Sequence, residues 1–403
     1  MADPIGRRDL MQVYLQGGFG EKGRTSVCLQ ADGTTVMLDA GIKVGAPEDT
    51  YHPQLAVPAK ILDAVVITHA HEDHVGALCW LAGQGFSGPI YMTAETLSET
   101  PTTLTQYARP ADLAAHPLAA MDIRIVRIET PFSIGSLTIN TGHSGHVSGG
   151  MWIAATTKSS SVLYCGDVVP NSAVFPMTPL PAANLMLLDA AYGADSVTAR
   201  QRAVSIAAWI AAQPTGCLLP TPLSGRSLEL IAIQQNQFAI EAGMTKPLMA
   251  QIEAISGYNP AMAEQLATRV RTANLWREGA EFPAMPLLVH DGMGSAGPAA
   301  TAILQALANQ TPMLFTGHLP DGSPAAIAYE RGKADWIRLP THPTLDENIL
   351  LWKSSGKPRV FGHSCSTNDM ADLGKHIHNL DTTVRTGQTH TLEGNTANAN
   401  FDR

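Results

Sequence analysis

The stretch "ILDAVVITHAHEDH", residues 61 to 74, constrains this chain more than any other. Its apolar, β-branched opening reads as a buried strand. That strand runs directly into three histidines and two acids within six positions. Divalent cations such as zinc are held by neutral imidazole and carboxylate converging from a rigid frame, so the end of this strand is a candidate metal site. In an extended segment His69, His71 and Asp73 share a face, while His74 turns into the following helical stretch "VGALCWLAG". One loop can therefore serve two metals, with His69 and His71 on one and Asp73 and His74 on the other. Solvated histidines around a helix start are the bland alternative, and so dense a cluster after a buried strand argues against it.

The same design recurs along the first two hundred residues. Short β-rich runs such as "TTVMLDAG", "SVLYCGD" and "LMLLDAAYG" end in a polar or acidic residue, so Asp39, His69, Asp167 and Asp189 are expected at strand ends. Active sites of layered α/β folds collect there. From about Val197 the pattern changes to helical stretches, "VTARQRAVSIAAWIAAQ", "SLELIAIQQNQFAIEAG" and "PAMAEQLATRVRTAN", with short strands between them. The earlier style returns in "DWIRLPTHPTLDENILLWKSSGKPRVFGHS". The expected division is a first domain over 1–196, an α/β insertion over 197–337, completion of the first domain over 338–390, and a mobile tail over 391–403.

Composition narrows the function classes. With 45% apolar and 15% charged residues the chain can bury a large core. The formal charge of −9 speaks against a broad nonspecific nucleic-acid footprint, although bound divalent metals would add positive charge locally. The five cysteines are scattered and never form a CxxC pair, which argues against a disulfide framework and for buried small hydrophobes. No run approaches the roughly 20 apolar residues of a membrane span, and "MADPIGRRDL" lacks the apolar core of a secretory signal, so a cytoplasmic location is expected.

The motif "HAHEDH" has the form HxHxDH and resembles that of the metallo-β-lactamase superfamily. The segment "LQGGFGEKGRTSVCLQADGTTVMLDAGIKVG" resembles the opening of ribonuclease J proteins, and "GHVSGGMWIAATTKSSSVLYCGD" is similar to the third and fourth metal motifs of the β-CASP nucleases. "LLPTPLSGRSLEL", "LLVHDGMGSAGPA" and "MLFTGHLPDGSPA" are similar to segments of the β-CASP insertion. This resemblance implies a four-layer αββα α/β fold carrying an inserted β-CASP domain, with the active site in the groove between them.

It also implies roles. His146 would complete the ligands of the first metal, with His143 as its rival, and Asp167 would bridge two Zn²⁺ ions, Mn²⁺ being the alternative. His363 would be the last ligand of the second metal. Asp73, Asp189 and His342 are the catalytic candidates, His342 as a general acid oriented by Asp189. A histidine at the position of His363 accompanies the RNA-processing members of the family. The segment Pro-Thr-His-Pro-Thr around His342 departs from the usual Ser-Ala-His-Ala-Asp.

Arg226 and Ser295, both near helix starts, are candidates for holding a substrate phosphate, and His318 for facing the cleft. The expected activity is two-metal hydrolysis of phosphodiester bonds in single-stranded RNA. The alternatives are hydrolysis of a small ester, lactone, amide or cyclic phosphate, and a non-catalytic partner subunit that would have lost its ligands. Homodimerisation is a further expectation from the family.

Overall fold

The structure is a computed structural model and describes residues 10–393. Two sheets carry most of the chain. The first has seven strands in the order Thr389–Glu393, Leu10–Gly17, Ser26–Ala31, Thr34–Leu38, Ala64–Val66, Ile90–Met92 and Ile123–Ile125. The second has six, in the order Arg359–His363, Leu185–Asp189, Ser161–Tyr164, Met151–Thr156, Leu137–His143 and Phe132–Ile134. Alternate residues of each strand point to opposite faces. Accordingly Val13, Leu29, Leu38, Ile139, Ile153, Tyr164 and Leu187 pack between the sheets in one core.

The outward-facing alternates Met37, Val65 and Ile67 instead pack on Leu78 and Leu81 of the helix Leu78–Gly83. On the far side Met186, Leu188 and Val360 meet Leu351, Met370 and Leu373 from the helices Leu345–Ser354 and Thr367–Gly374. The layers therefore run helix, sheet, sheet, helix. This is the αββα arrangement.

Between Leu185–Asp189 and Arg359–His363, which are parallel neighbours in one sheet, the chain builds separate parallel sheets. The larger has the order Cys217–Pro220, Pro286–Val289, Ala239–Glu241 and Asn274–Trp276. It is packed on one face by the helices Ala199–Ala211, Thr245–Ser256 and Pro260–Thr272, and on the other by Gly297–Asn309. The stretch "SLELIAIQQNQFAIEAG" reads as one helix in sequence, yet only Arg226–Ile233 is helical and Ala239–Glu241 is a strand. The apolar period fits a helix, but Phe238 and Ile240 are buried in the sheet layer.

The expected mobile tail is also corrected in part. Residues 391–393 close the strand Thr389–Glu393, which pairs antiparallel with Leu10–Gly17, and Leu392 is buried in the core between the sheets. One leucine in a polar stretch carries no periodicity, so only the docking reveals it. The rest of that tail, 394–403, lies outside the described residues. Among the described residues no helix is long and apolar enough to cross a membrane.

Candidate metal centre

Strand ends of both sheets bring the site together. His69 follows Ala64–Val66, Asp167 follows Ser161–Tyr164, Asp189 ends its strand, and His363 ends Arg359–His363. His71 caps the short helix Glu72–Val75, which carries Asp73 and His74. His146 comes from the loop between Leu137–His143 and Met151–Thr156. These loops close tightly because glycines let the backbone approach. A Cβ at Gly41 would lie 1.7 Å from the carbonyl oxygen of Asp73, and one at Gly166, where φ is +55°, would lie 2.9 Å from the side chain of Thr68.

His69, His71, His146 and Asp167 each offer a ligand atom, all within 4.8 Å of one another. His71 Nδ1 lies 3.0 Å from His69 Nε2 and 3.1 Å from His146 Nε2, and Asp167 Oδ2 stands 3.6 and 3.5 Å from those same two nitrogens. Burial pushes the pKa of all three imidazoles down, that of His71 to about 4. Neutral rings with converging lone pairs are the form that binds a cation.

On the other side of Asp167, His74 Nε2 lies 3.3 Å from its Oδ1 and 3.7 Å from Asp73 Oδ2. Burial works against charge on His74, yet Asp167, Asp73 and Asp39 outweigh it and hold its pKa well above the ordinary range. His363 is fully buried, with Nδ1 2.9 Å from Ser364 Oγ and its ring between Phe19 and Tyr164. It is not among the groups whose ligand atoms fall within 4.8 Å of one another. His363 Nε2 is buried without a hydrogen-bond partner, and His74 Nε2 and Asp167 Oδ1 have none beyond their own 3.3 Å contact. Buried polar atoms are otherwise satisfied in proteins, so this donor set fits a bound cation.

Asp167, Asp189 and His342 form a second group that meets the same 4.8 Å criterion. Asp189 Oδ2 lies 2.9 Å from His342 Nδ1, and its carboxylate also accepts the N–H groups of Val168 and Ala191, both at 3.1 Å. Burial lowers the pKa of His342, but Asp189 and Asp167 override it and push it up to about 10. The Tyr192 ring meets His342 edge-on at 5.0 Å, and its hydroxyl accepts the Thr341 N–H at 3.0 Å.

The expected residues do not all converge. His143 lies outside the cluster, half-buried against the Tyr258 ring at 5.0 Å. Arg226 lines the groove, with Nη2 3.1 Å from Thr341 Oγ1 and a buried Nε without a partner. It reaches there because Gly225, at φ +70°, packs the insertion against His146 and Val147, where a Cβ would collide. His318 lines the groove too. Ser295 is exposed and does not line it. The loop around Ser295 has its N–H donors engaged, since Met293, Gly294 and Ala296 all donate to Asp291.

Sequence reasoning missed the support of Asp39. Its Oδ1 accepts the Thr68 N–H at 2.7 Å, and its Oδ2 takes Thr68 Oγ1, Tyr164 Oη and His74 Nδ1 at 2.8, 2.7 and 2.7 Å. The available signal was the Asp-x-Gly that closes "TTVMLDAG".

The sequence profile described as "Metallo-beta-lactamase superfamily" matches residues 20–207. The chain is 30% identical over 193 residues to a ribonuclease of Thermus thermophilus, covering 45% of this chain and 44% of that protein. It is 29% identical over 298 residues to a transcription termination factor of Cenarchaeum symbiosum, covering 66% and 46%. Against cleavage and polyadenylation specificity factor 73 of Drosophila melanogaster it is 27% identical over 252 residues, covering 57% and 36%. The chain thus spans less than half the length of these relatives. A solved structure of a protein of unknown function from Enterococcus faecalis shares the fold, with TM-score 0.61 at 12% identity over 95% of this chain and 100% of that one. With the superfamily profile over residues 20–207, relatives whose similarity extends beyond it and the layered fold around a histidine and aspartate centre, the chain carries a metallo-β-lactamase domain and resembles the β-CASP nucleases.

Proposed function

We propose that this chain is a zinc-dependent ribonuclease that hydrolyses phosphodiester bonds of single-stranded RNA. The observation that carries the reading is the Asp189–His342 pair, whose histidine lies 3.8 Å from Asp167 Oδ2 and lines, with Asp167, a groove of 1280 Å³. His69, His71, His146 and Asp167 would hold one zinc, and Asp73, His74, Asp167 and His363 the other. Bound there, the ions would lower the pKa of a water and neutralise charge on the phosphoryl oxygens.

The protein's own groups do the rest. Asp189 accepts the Nδ1 proton of His342, which fixes the ring and leaves Nε2 to carry the proton for the departing sugar oxygen. Tyr192 and Thr341 hold the backbone at that histidine. Asp73, part of the groove wall, also orients the attacking water, and Arg226 steadies a phosphate beside Thr341. The relatives named as a ribonuclease and as a cleavage factor support RNA as the polymer.

The test is cleavage of matched end-labelled single-stranded RNA and DNA by purified, metal-analysed protein, beside His342→Ala. RNA cut in preference to DNA, abolished by chelator and lost in the variant, is the expected result. Two bound metals with neither polymer cut would overturn the reading and favour a small ester or cyclic phosphate as substrate.

A further inference from the structure

Arg226 opens the helix Arg226–Ile233 and lines the groove, and its charge has no carboxylate partner among the described residues. Its guanidinium lies hard against Gly317, where a Cβ would stand 2.2 Å from Nη1, and the Gly317 carbonyl is itself held by Trp336 Nε1 at 2.7 Å. On the other side Nη2 donates to Thr341 Oγ1 at 3.1 Å. Burial works against the charge and pushes the pKa of this arginine down. A guanidinium already desolvated and held by one neutral hydroxyl gains much from an anion, because charge-assisted hydrogen bonds then offset the desolvation.

Thr341 is buried beside His342, and one phenol fixes it twice. Tyr192 Oη accepts the Thr341 N–H at 3.0 Å and lies 3.3 Å from Thr341 Oγ1. The phenol is fixed in turn, since the Arg338 guanidinium covers its ring at 4.4 Å and Arg338 is tied to Asp195 at 2.7 Å. The Tyr192 ring also meets His342 edge-on. The Thr341 hydroxyl thus joins the arginine of the insertion to the Asp189–His342 pair. A valine in its place would keep the shape and take the acceptor away from Arg226.

We propose that Thr341 is a positioning residue, whose hydroxyl holds Arg226 in register with His342 so that the arginine binds the phosphate next to the one being cleaved. The inference rests on the ribonuclease reading above. The metal ligands claim the scissile phosphate, so the anion left for Arg226 is a neighbouring phosphate of the same strand. Held there, that phosphate fixes how far the strand advances and sets the leaving oxygen opposite His342.

The experiment uses metal-loaded full-length protein and a short single-stranded RNA whose cleaved bond has been mapped. In a set of substrates, one phosphate beside that bond is replaced by an uncharged methylphosphonate. Each is paired with an all-phosphate control carrying the same single deoxyribose before that linkage. With the wild type, one replacement should lower kcat/KM by about tenfold, mainly through KM, the scale of one hydrogen bond to a charged group. Thr341→Val should show that loss already on the control and no further loss at that replacement, with both zinc ions retained. Thr341→Ser, which keeps the hydroxyl, should behave as the wild type. Shared action makes the two losses non-additive, whereas general damage to the fold would multiply them. Wild-type rates that no replacement changes would overturn the proposal, as would losses that multiply in Thr341→Val or a fall in kcat alone. The wild-type comparison stands by itself should Thr341→Val fail to fold. If the control RNA is not cut, the ribonuclease reading itself falls and this inference with it.

Discussion

Asp39 Oδ2 lies 2.7 Å from His74 Nδ1, with both side chains completely buried. An ionised carboxylate only accepts, so this contact places a His74 proton on Nδ1 and turns Nε2 towards Asp73 and Asp167. Because Asp39 also takes Thr68 and Tyr164, the imidazole is held before any metal arrives. Asp39→Asn is expected to weaken zinc affinity by about 10–100-fold, read as zinc retained during titration with a competing chelator. Unchanged retention would mean that His74 is positioned by packing alone.

The Asp189–His342 pair makes a different prediction, for turnover. His342→Ala should lower kcat by about 10²–10⁴ while leaving bound zinc unchanged. Asp189→Asn keeps one side-chain oxygen to accept from the Val168 or Ala191 N–H but puts an NH2 group in place of the other acceptor, and is expected to cost about 10–100-fold. Kinetics beside metal analysis of the same preparations checks both; a loss of zinc in His342→Ala would make that histidine a ligand instead.

Metal stoichiometry separates the remaining histidines. His363→Ala should reduce bound zinc from two ions per chain to one, and His146→Ala should disturb the other position. His143→Ala, whose ring packs on Tyr258 away from the cluster, should retain both ions. Elemental analysis after gel filtration reads all three.

Gly41 is a prediction about stability. Its Cα faces the Asp73 carbonyl, and Ala40 and Ile42 donate their N–H groups to His74 and Glu72 at 2.7 and 3.0 Å, so the two segments cannot separate. Gly41→Ala should cost about 3 kcal/mol or more in a denaturant titration, at the upper end for a forced backbone shift. A loss under half that would show that the loop yields.

His52 gives a pH dependence away from the metal centre. It is buried, stacked on Trp80 at 4.4 Å with the rings 4° from parallel, and burial with Arg109 nearby pushes its pKa down to about 4 from an ordinary 6.5. Between those values the unfolded chain takes a proton that the native state refuses. Its stabilising contribution is therefore complete above 6.5 and is lost as pH falls towards 4. The loss should amount to about 1–3 kcal/mol, and His52→Phe, which keeps the stack, should remove that part of the acid dependence.

Some of this was readable in the chain because it is local. A buried strand has period two, a strand end faces a cavity, and imidazoles crowded after it want a cation; these follow from neighbours in sequence, so the sequence alone points to His69, His71, Asp73 and His74. Asp167, Asp189, His342 and His363 came from motif resemblance, since a lone Asp or His at a strand end carries no chemistry by itself. The tertiary structure decided what depends on distant segments meeting. Asp39 and His74 are 35 positions apart, and only the sheet brings them into one hydrogen bond. Spacing to Asp167 favours His146 over His143, and in the fold His146 Nε2 meets His71 while the His143 ring packs on Tyr258. Ser295 dropped out because Asp291 claims the N–H groups around it. Which charged groups line the groove, Lys22, Arg226, Glu99 and Asp321 among them, is the sum of segments from across the whole chain. A net charge of −9 cannot reveal it, because composition counts charges and only folding sets which of them face the same space.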